Sequence, residues 1–333
     1  MTLPPLQGWL PMHAGLREGR LETELCWFGE RRLLEPFFDD SLAAVMQQPF
    51  NAVFRHRLPI ETLAQWLEVH PGLPPRGFVF HMSRCGSTLL GQVLAASAAR
   101  RVVSEAAPID AVLRVGAAVD DATRGAWLRT MLGMLGQPAD AAERSLYVKF
   151  DSWHTHHLPL VATVHPEVPW VFLIREPVEV IVSHLRRPGA QMVPGMLGFT
   201  LPGLDPVAAA TLPRAEYIAR MLGWICEAAE QALLAEPGRG LVVDYADWPA
   251  TLEGALLPHF GLRTAGPEAA AMQAALRRDA KNPSFDFAPD AESKRRDAGA
   301  EVHAAAERWV QPVYRRLLAL ARGGAASPAR RPA

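Results

Sequence analysis

Short apolar runs alternate with longer segments of helical spacing over most of the chain, and this alternation is the strongest constraint on its fold. Strands are predicted near residues 77–82, 101–104, 145–149, 169–174 and 240–244. Helical spacing is found at 124–135, 155–165, 177–187, 213–235, 248–259, 266–278 and 300–322. Because strands separated by helices pair in parallel, the predicted fold class is α/β, a three-layer sandwich with a central parallel sheet and helices on both faces.

The predicted sheet domain occupies residues 76–322, and three features place its limits. Residues 1–75 contain a Pro-rich lead, a short amphipathic region and the hinge-like PGLPPRG, so they are interpreted as an N-terminal extension that caps the domain. Residues 323–333, GGAASPARRPA, are expected to form a disordered tail. The 333-residue chain with 49% apolar residues is large enough for a sizeable core.

Composition excludes several classes of partner. The chain has 34 Lys and Arg against 35 Asp and Glu, so no overall field favours nucleic acid or an anionic membrane, and an anionic ligand must be held locally. No apolar run approaches the ~18 residues of a membrane span, and the N-terminus lacks a signal-peptide pattern, which predicts a cytoplasmic protein. Cys26, Cys85 and Cys226 lie far apart without CxxC spacing, so neither disulfides nor a metal site is expected.

The segment GFVFHMSRCGSTLLGQVLAAS, residues 77–97, reads as a strand, a small polar turn and a helix. A helix that begins after such a turn presents free backbone N–H groups to a phosphate or sulfate, and Gly86 allows a close approach. The hydroxyls of Ser87 and Thr88 add donors, and Arg84 adds a cation. From these residues alone, an anion-binding turn and an ordinary capped turn remain equally open.

The same turn departs from the ATP-binding P-loop. That motif needs glycine where this chain has His81 and lysine where it has Ser87. These departures argue against a phosphotransferase that uses ATP and Mg²⁺, which is kept as an alternative.

A second candidate site lies in PWVFLIREPVEVIVSHLRR, residues 169–187. Arg175 ends an apolar strand, Pro177 suits the first turn of the following helix, and Ser183 lies eight residues after Arg175. Two simpler roles are open, because Arg175 fits an ion pair and Ser183 fits a mid-helix serine bonded to the carbonyl four residues back.

Taken in order, the two segments resemble the signatures of sulfotransferases that use 3′-phosphoadenosine 5′-phosphosulfate (PAPS). The resemblance covers residues 75–260 and implies a P-loop-like fold, sulfuryl transfer to a hydroxyl or amine acceptor, and no metal. It also implies that Arg84, Cys85, Gly86, Ser87 and Thr88 hold the 5′-phosphate of PAPS. Arg175 and Ser183 would hold the 3′-phosphate. Cys85 departs from the pattern because a weak thiol donor replaces the usual serine hydroxyl.

Two further residues follow from the resemblance to tyrosylprotein-type sulfotransferases. In that group a glutamate about twenty residues after the loop cation acts as base, and a lysine before the second signature stabilises transferring charge. Glu105 lies 21 residues after Arg84, and Lys149 lies 26 residues before Arg175. The implied catalytic set is Glu105, Arg84 and Lys149. These residues and Arg175 each follow a different predicted parallel strand, and ligands bind at that edge of α/β sheets.

Several features leave alternatives open. The family often closes over the 3′-phosphate with a basic C-terminal segment, for which Lys281 or the run Lys294, Arg295 and Arg296 is available, but a solvated charged loop is favoured for that run. The histidines of DSWHTHH are interpreted as cap or substrate-edge residues, because their spacing fits no known metal motif. A catalytically inactive nucleotide-binding module is the alternative to an enzyme. The acceptor and the oligomeric state are not predicted.

Overall fold

A computed structural model describes residues 5–116, 119–199, 201–248, 250–263, 265–280 and 291–324. Its strands are β1 Trp9–Arg17, β2 Arg20–Trp27, β3 His56–Pro59, β4 Pro75–His81, β5 Arg100–Ser104, β6 Ser145–Lys149, β7 Trp170–Ile174 and β8 Gly240–Asp244. Its α-helices are α1 Phe38–Met46, α2 Pro49–Val53, α3 Ile60–Val69, α4 Ser87–Ala95, α5 Ala107–Leu113, α6 Asp121–Leu135, α7 Leu158–Val164, α8 Pro177–Arg186, α9 Pro206–Thr211, α10 Arg214–Ala235, α11 Leu257–His259, α12 Gly266–Leu276, α13 Ala291–Arg296, α14 Ala300–Trp309 and α15 Gln311–Gly324.

Five strands form a parallel sheet in the order β5-β6-β4-β7-β8, and helices flank it, which confirms the predicted α/β fold class. Every residue of β5 and β7 is buried. Strands of a parallel sheet are covered on both faces, so they lose the alternation of buried and exposed residues that marks a half-exposed strand. In the pairing of β5 with β6, Ser104 lies opposite Lys149 at the carboxyl ends of both strands.

The chain forms two compact units, of which the first contains Met1–Val79, Thr88–Pro169 and Thr264–Phe287. This unit holds an antiparallel sheet β1-β2-β3 that the sequence analysis did not predict. A two-residue turn, Glu18 and Gly19, joins β1 to β2, with φ of +51° and +78°. Such turns match the twist of a hairpin, and Leu21, Thr23 and Leu25 alternate inward along β2. The hairpin signal was therefore present in REGRLETEL.

The second unit contains Phe80–Ser87, Trp170–Arg263 and Ala288–Ala333. Its strands β7 and β8 pair from Trp170 opposite Gly240 to Ile174 opposite Asp244. Gly240 is required there, because a Cβ at this position would lie 2.4 Å from the Trp170 ring. Helices α10 and α14 pack on each other and on both α8 and α15, and α15 also packs on β8.

Two expectations concern segments that are described in part or not at all. The predicted tail lies outside the described residues from 325 onward, and so does Lys281. Across the described ranges, no helix combines the length and apolar character needed to cross a bilayer. The three cysteines are buried and carry no disulfide.

Candidate functional site

The loop between β4 and α4 has an unusual backbone. Ser83, Arg84 and Gly86 have φ of +83°, +51° and +85°. For a residue with a side chain this conformation costs about 1–2 kcal/mol, and such strain gathers at functional sites. In the described part of the chain, the other non-glycine residues with positive φ are Glu18, in the hairpin turn, and Glu105. The loop is therefore held in a shape that its residues would not adopt by themselves.

Hydrogen bonds of Ser83 stabilise this backbone conformation. The Nδ1 atom of His184 accepts the N–H of Gly189 at 3.2 Å, so the ring proton lies on Nε2, which donates to the Ser83 hydroxyl at 3.1 Å. Gln191 Nε2 donates to the same oxygen at 3.3 Å, and the Ser83 N–H donates to His81 Nδ1 at 3.1 Å. Because its oxygen accepts two bonds, the Ser83 hydroxyl keeps its own hydrogen for donation.

Tyr245 brings the loop and the second sequence motif together. A Cβ at Gly86 would lie 2.7 Å from Tyr245 Cδ2, so the ring rests directly on the glycine. The Arg175 guanidinium carbon lies 4.5 Å from the centre of the same ring. One aromatic side chain, placed just after β8, thus contacts both motifs. The sequence analysis did not assign Tyr245 to the site, although its position directly after a predicted strand was a usable signal.

The other loop residues have defined partners. Arg84 Nη2 donates to the carbonyl oxygen of Arg187 at 2.7 Å, beyond the end of α8. The fully buried Cys85 thiol donates to the Leu173 carbonyl at 3.2 Å, so it points into the protein. Helix α4 begins at Ser87, directly after the loop, and the first N–H groups of a helix have no partner within the helix.

Arg175 and Ser183 make the two simpler contacts that the sequence left open. Arg175 Nε donates to Glu179 Oε2 at 2.7 Å, and the Ser183 hydroxyl donates to the Glu179 carbonyl at 2.8 Å. The Glu179 carboxylate is only 3% exposed, and its Oε1 lies 2.7 Å from Arg295 Nη2. One buried carboxylate therefore joins two guanidinium groups that lie 120 residues apart in the sequence.

The favoured interpretation of the run Lys294, Arg295 and Arg296 as a solvated loop is wrong in that the run is helical and Lys294 is buried, whereas Arg295 and Arg296 are exposed. These residues end α13, which packs against α8. Lys294 is buried, and Arg295 reaches Glu179. The packing was not predictable from the run itself, because its partner, α8, lies more than 100 residues earlier in the chain.

Glu105 and Lys149 form an ion pair in the first unit. The Glu105 carboxylate contacts Lys149 Nζ, and the Glu105 N–H donates to the Lys149 carbonyl at 2.7 Å, one step beyond the β5–β6 ladder. Lys149 is 1% exposed, and its Nζ lies 4.9 Å from the centre of the Phe37 ring. Helix α4 passes beside it, since a Cβ at Gly91 would lie 3.9 Å from Lys149 Cδ. The pair thus lies within contact distance of α4.

Close to this pair, Asp110, Asp151 and His154 each place one potential metal ligand within 4.8 Å of the others. Hydrogen bonds already occupy Asp110, because its carboxylate accepts from Trp153 Nε1 and His154 Nε2 at 2.8 Å and from Arg114 Nε at 2.7 Å. Asp151 is the N-cap of the 3₁₀ turn that begins at Ser152. The cluster is thus a hydrogen-bonded cap, in agreement with the role expected for His154.

Protonation in this cluster follows burial and hydrogen bonding. Burial opposes ionisation of Asp110, but hydrogen bonds from His154, Arg114 and Trp153 outweigh it and hold its pKa well below the ordinary value. Burial, together with the negative charge of Glu105, raises the pKa of Asp151. Burial lowers the pKa of His154 despite its bond to Asp110, so a neutral ring faces a charged carboxylate.

No family model matches the chain, and no curated protein matches it. Among solved structures, the sulfotransferase STF9 from Mycobacterium avium matches with 15% identity and a TM-score of 0.47, over 77% of this chain and 80% of that one. The sulfotransferase STF1 from Mycobacterium tuberculosis H37Rv matches with 16% identity and a TM-score of 0.44, over 75% and 81%. Mouse sulfotransferase SULT7A1, complexed with PAP, matches with 12% identity and a TM-score of 0.41, over 80% and 91%.

Proposed function

We propose that this protein is a sulfotransferase that moves a sulfuryl group from PAPS to a hydroxyl or amine acceptor. The observation that carries the proposal is the contact of one ring, Tyr245, with both Gly86 and Arg175. The two motifs that resemble the PAPS signatures are thereby within reach of a single nucleotide carrying two phosphate groups. The strands that precede them, β4 and β7, are neighbours in the sheet, so both motifs follow the carboxyl ends of adjacent strands.

The β4–α4 loop fits the 5′-phosphate. The backbone N–H groups at the start of α4 and the lack of a side chain at Gly86 leave a cradle for an anion. We assign Arg84, Cys85, Gly86, Ser87 and Thr88 to this cradle, with Cys85 contributing its backbone because its thiol faces Leu173. The free hydrogen of the Ser83 hydroxyl is an additional donor.

The region around Glu179 fits the 3′-phosphate. Arg175 and Arg295 supply two positive charges, of which the Glu179 carboxylate balances one. We assign Arg175 and Ser183 to the phosphate and Arg295 to a supporting contact. Ser183 would exchange its bond to the Glu179 carbonyl for one to the ligand.

The proposed reaction breaks the sulfur–oxygen bond to the 5′-phosphate and forms a sulfur–oxygen or sulfur–nitrogen bond to the acceptor. The Glu105 carboxylate takes the acceptor's proton, and Lys149 and Arg84 stabilise charge on the transferring group and the leaving nucleotide. A sulfuryl group carries less negative charge than a phosphoryl group, so side-chain cations suffice where kinases use Mg²⁺. The left-handed backbone of Glu105 supports a functional role for this residue.

Calorimetry with 3′-phosphoadenosine 5′-phosphate (PAP), in EDTA, tests nucleotide binding. We expect PAP to bind at least tenfold more tightly than ATP with Mg²⁺, and Arg175→Ala to weaken PAP binding at least tenfold. Arg220→Ala is the matched control, because Arg220 also pairs with a glutamate one helical turn away and stacks on an aromatic ring, Trp309 at 4.2 Å. That variant should bind PAP as the wild type does.

Transfer of label from radioactive PAPS to a panel of alcohols and amines tests the reaction. Tighter binding of ATP with Mg²⁺ than of PAP would assign the protein to the phosphotransferases instead. Tight PAP binding without transfer to any acceptor would leave a nucleotide-binding module.

A further inference from the structure

One carboxylate connects the segments that follow Glu105 and Lys149. Asp110, on α5, lies five residues beyond Glu105, and His154 lies five residues beyond Lys149. Asp110 Oδ1 accepts from His154 Nε2 and from Trp153 Nε1, both at 2.8 Å. The chain leaving β5 is thus joined to the chain leaving β6 just past the ion pair of Glu105 and Lys149.

The geometry of His154 makes this connection rigid. The ring is fully buried, and its Nδ1 atom faces the N–H of Asp151 at 3.3 Å. Nδ1 therefore accepts, the ring proton lies on Nε2, and Nε2–H donates to Asp110. Arg114 Nε holds the same carboxylate from the other side at 2.7 and 2.8 Å. A carboxylate that three donor groups hold through four contacts has little freedom to rotate.

Glu105 needs such support, because a residue with a side chain at φ +52° is strained. Two of its contacts are the ion pair with Lys149 and the bond of its N–H to the Lys149 carbonyl at 2.7 Å. Both contacts depend on the two strand ends staying together. Helix α5 begins two residues after Glu105, so the position of Asp110 fixes the direction in which the chain leaves it.

We propose that Asp110, His154 and Trp153 are positioning residues, which hold Glu105 and Lys149 in the geometry that proton transfer and charge stabilisation require. As a proposal about catalysis it rests on the proposed function, in which Glu105 and Lys149 act on the acceptor and the transferring group. A displacement of about 1 Å in a catalytic group lowers turnover on the order of 100-fold. Loss of the connection should therefore lower kcat while PAP, which we assign to residues outside this network, binds as before.

The test compares His154→Leu with His157→Leu. Both histidines lie in the same 3₁₀ turn, Ser152–His157, and both have a lowered pKa through burial, but His154 is the one that bonds to Asp110. Hydrogen–deuterium exchange of the Glu105 amide, which requires no substrate, measures how often the bond from its N–H to the Lys149 carbonyl opens. We expect exchange at least tenfold faster in His154→Leu and within twofold of the wild type in His157→Leu.

Two further variants refine the result. Trp153→Phe removes one donor with little change of shape, so it should accelerate exchange two- to fivefold even if His154→Leu does not fold. His154→Gln keeps an N–H donor near the Nε2 position and should restore most of the protection. In the transfer assay, His154→Leu should lower kcat 10- to 100-fold, with the KM for PAPS and the Kd for PAP within twofold of the wild type.

Equal exchange and equal kcat in the two histidine variants would overturn the positioning role. So would a KM for PAPS that rises in step with the fall in kcat, because that pattern would assign the network to nucleotide binding. If the wild type transfers no sulfuryl group but the exchange differences are found, the proposed function fails while the hold of this network on Glu105 stands.

Discussion

Replacing Gly86 by alanine tests two requirements at this position, a positive φ and the absence of a Cβ. The residue has φ of +85°, which alanine adopts only with strain, and its missing Cβ leaves room for Tyr245. An alanine Cβ would lie 2.7 and 2.8 Å from two carbons of the Tyr245 ring, closer than real Cβ contacts. Gly86→Ala therefore combines backbone strain with a steric clash.

Gly238→Ala is the matched control, because Gly238 has the same φ of +85° and nothing within 4 Å of its Cβ position. Backbone strain alone costs about 1–2 kcal/mol. Overpacking against a well-placed side chain adds about 1–3 kcal/mol. We therefore expect the free energy of unfolding to fall by roughly 1–2 kcal/mol in Gly238→Ala and by roughly 2–5 kcal/mol in Gly86→Ala.

Urea denaturation of both variants, alone and combined with Tyr245→Ala, measures these terms. With the ring removed, Gly86→Ala should cost no more than Gly238→Ala. Gly86→Ala should also weaken PAP binding at least tenfold, because the clash displaces the loop, whereas Gly238→Ala should not. Equal losses of stability for the two glycine variants in the presence of Tyr245 would refute the close contact between the ring and the loop.

Four further outcomes are expected. Glu105→Gln should abolish sulfuryl transfer and keep PAP binding, and retained transfer would remove Glu105 from the role of base. Arg295→Ala should weaken PAP binding less than Arg175→Ala does, as calorimetry can measure. Burial lowers the pKa of His157 to about 3, so between pH 6.5 and 4 only the unfolded chain protonates this imidazole, and the free energy of unfolding falls by roughly 3 kcal/mol over that range. In urea denaturation, the free energy of unfolding of His157→Leu should therefore fall less steeply with decreasing pH than that of the wild type. Asn51→Ala removes two side-chain donations to carbonyls and one acceptance from a backbone N–H, so it should destabilise by about 2–4 kcal/mol in the same assay.

The strands of the parallel sheet were predictable because their signal is local. Each is a short apolar run bounded by turn residues, and β7 was placed within one residue of its observed start, Trp170. The N-terminal sheet was missed because its hairpin turn carries Glu18 before Gly19 instead of Asn or Asp, and Pro11 interrupts the pattern of β1. Its alternation of Leu21, Thr23 and Leu25 was nevertheless readable.

The partners within the candidate site were beyond local signals. Ser83 is bonded to side chains 101 and 108 residues later in the chain, and Asp110 to one 44 residues later. Such pairs depend on how strands and helices pack, and the sequence around one member of a pair does not indicate which residue is the other member. Motif spacing pointed to Arg175 and Lys149 as candidates, whereas the contacts of Tyr245 with Gly86 and of Arg295 with Glu179 required coordinates.

The thiol of Cys85 can report the opening of the β4–α4 loop. It donates to the Leu173 carbonyl and is fully buried, so an alkylating reagent reaches it only when the loop opens. The other two thiols are also fully buried, and burial raises the pKa of Cys26 to about 12 and also raises that of Cys226, so both are expected to react slowly. The rate of alkylation at Cys85 thus reports how often the loop opens, and a ligand that stabilises the closed loop should lower this rate.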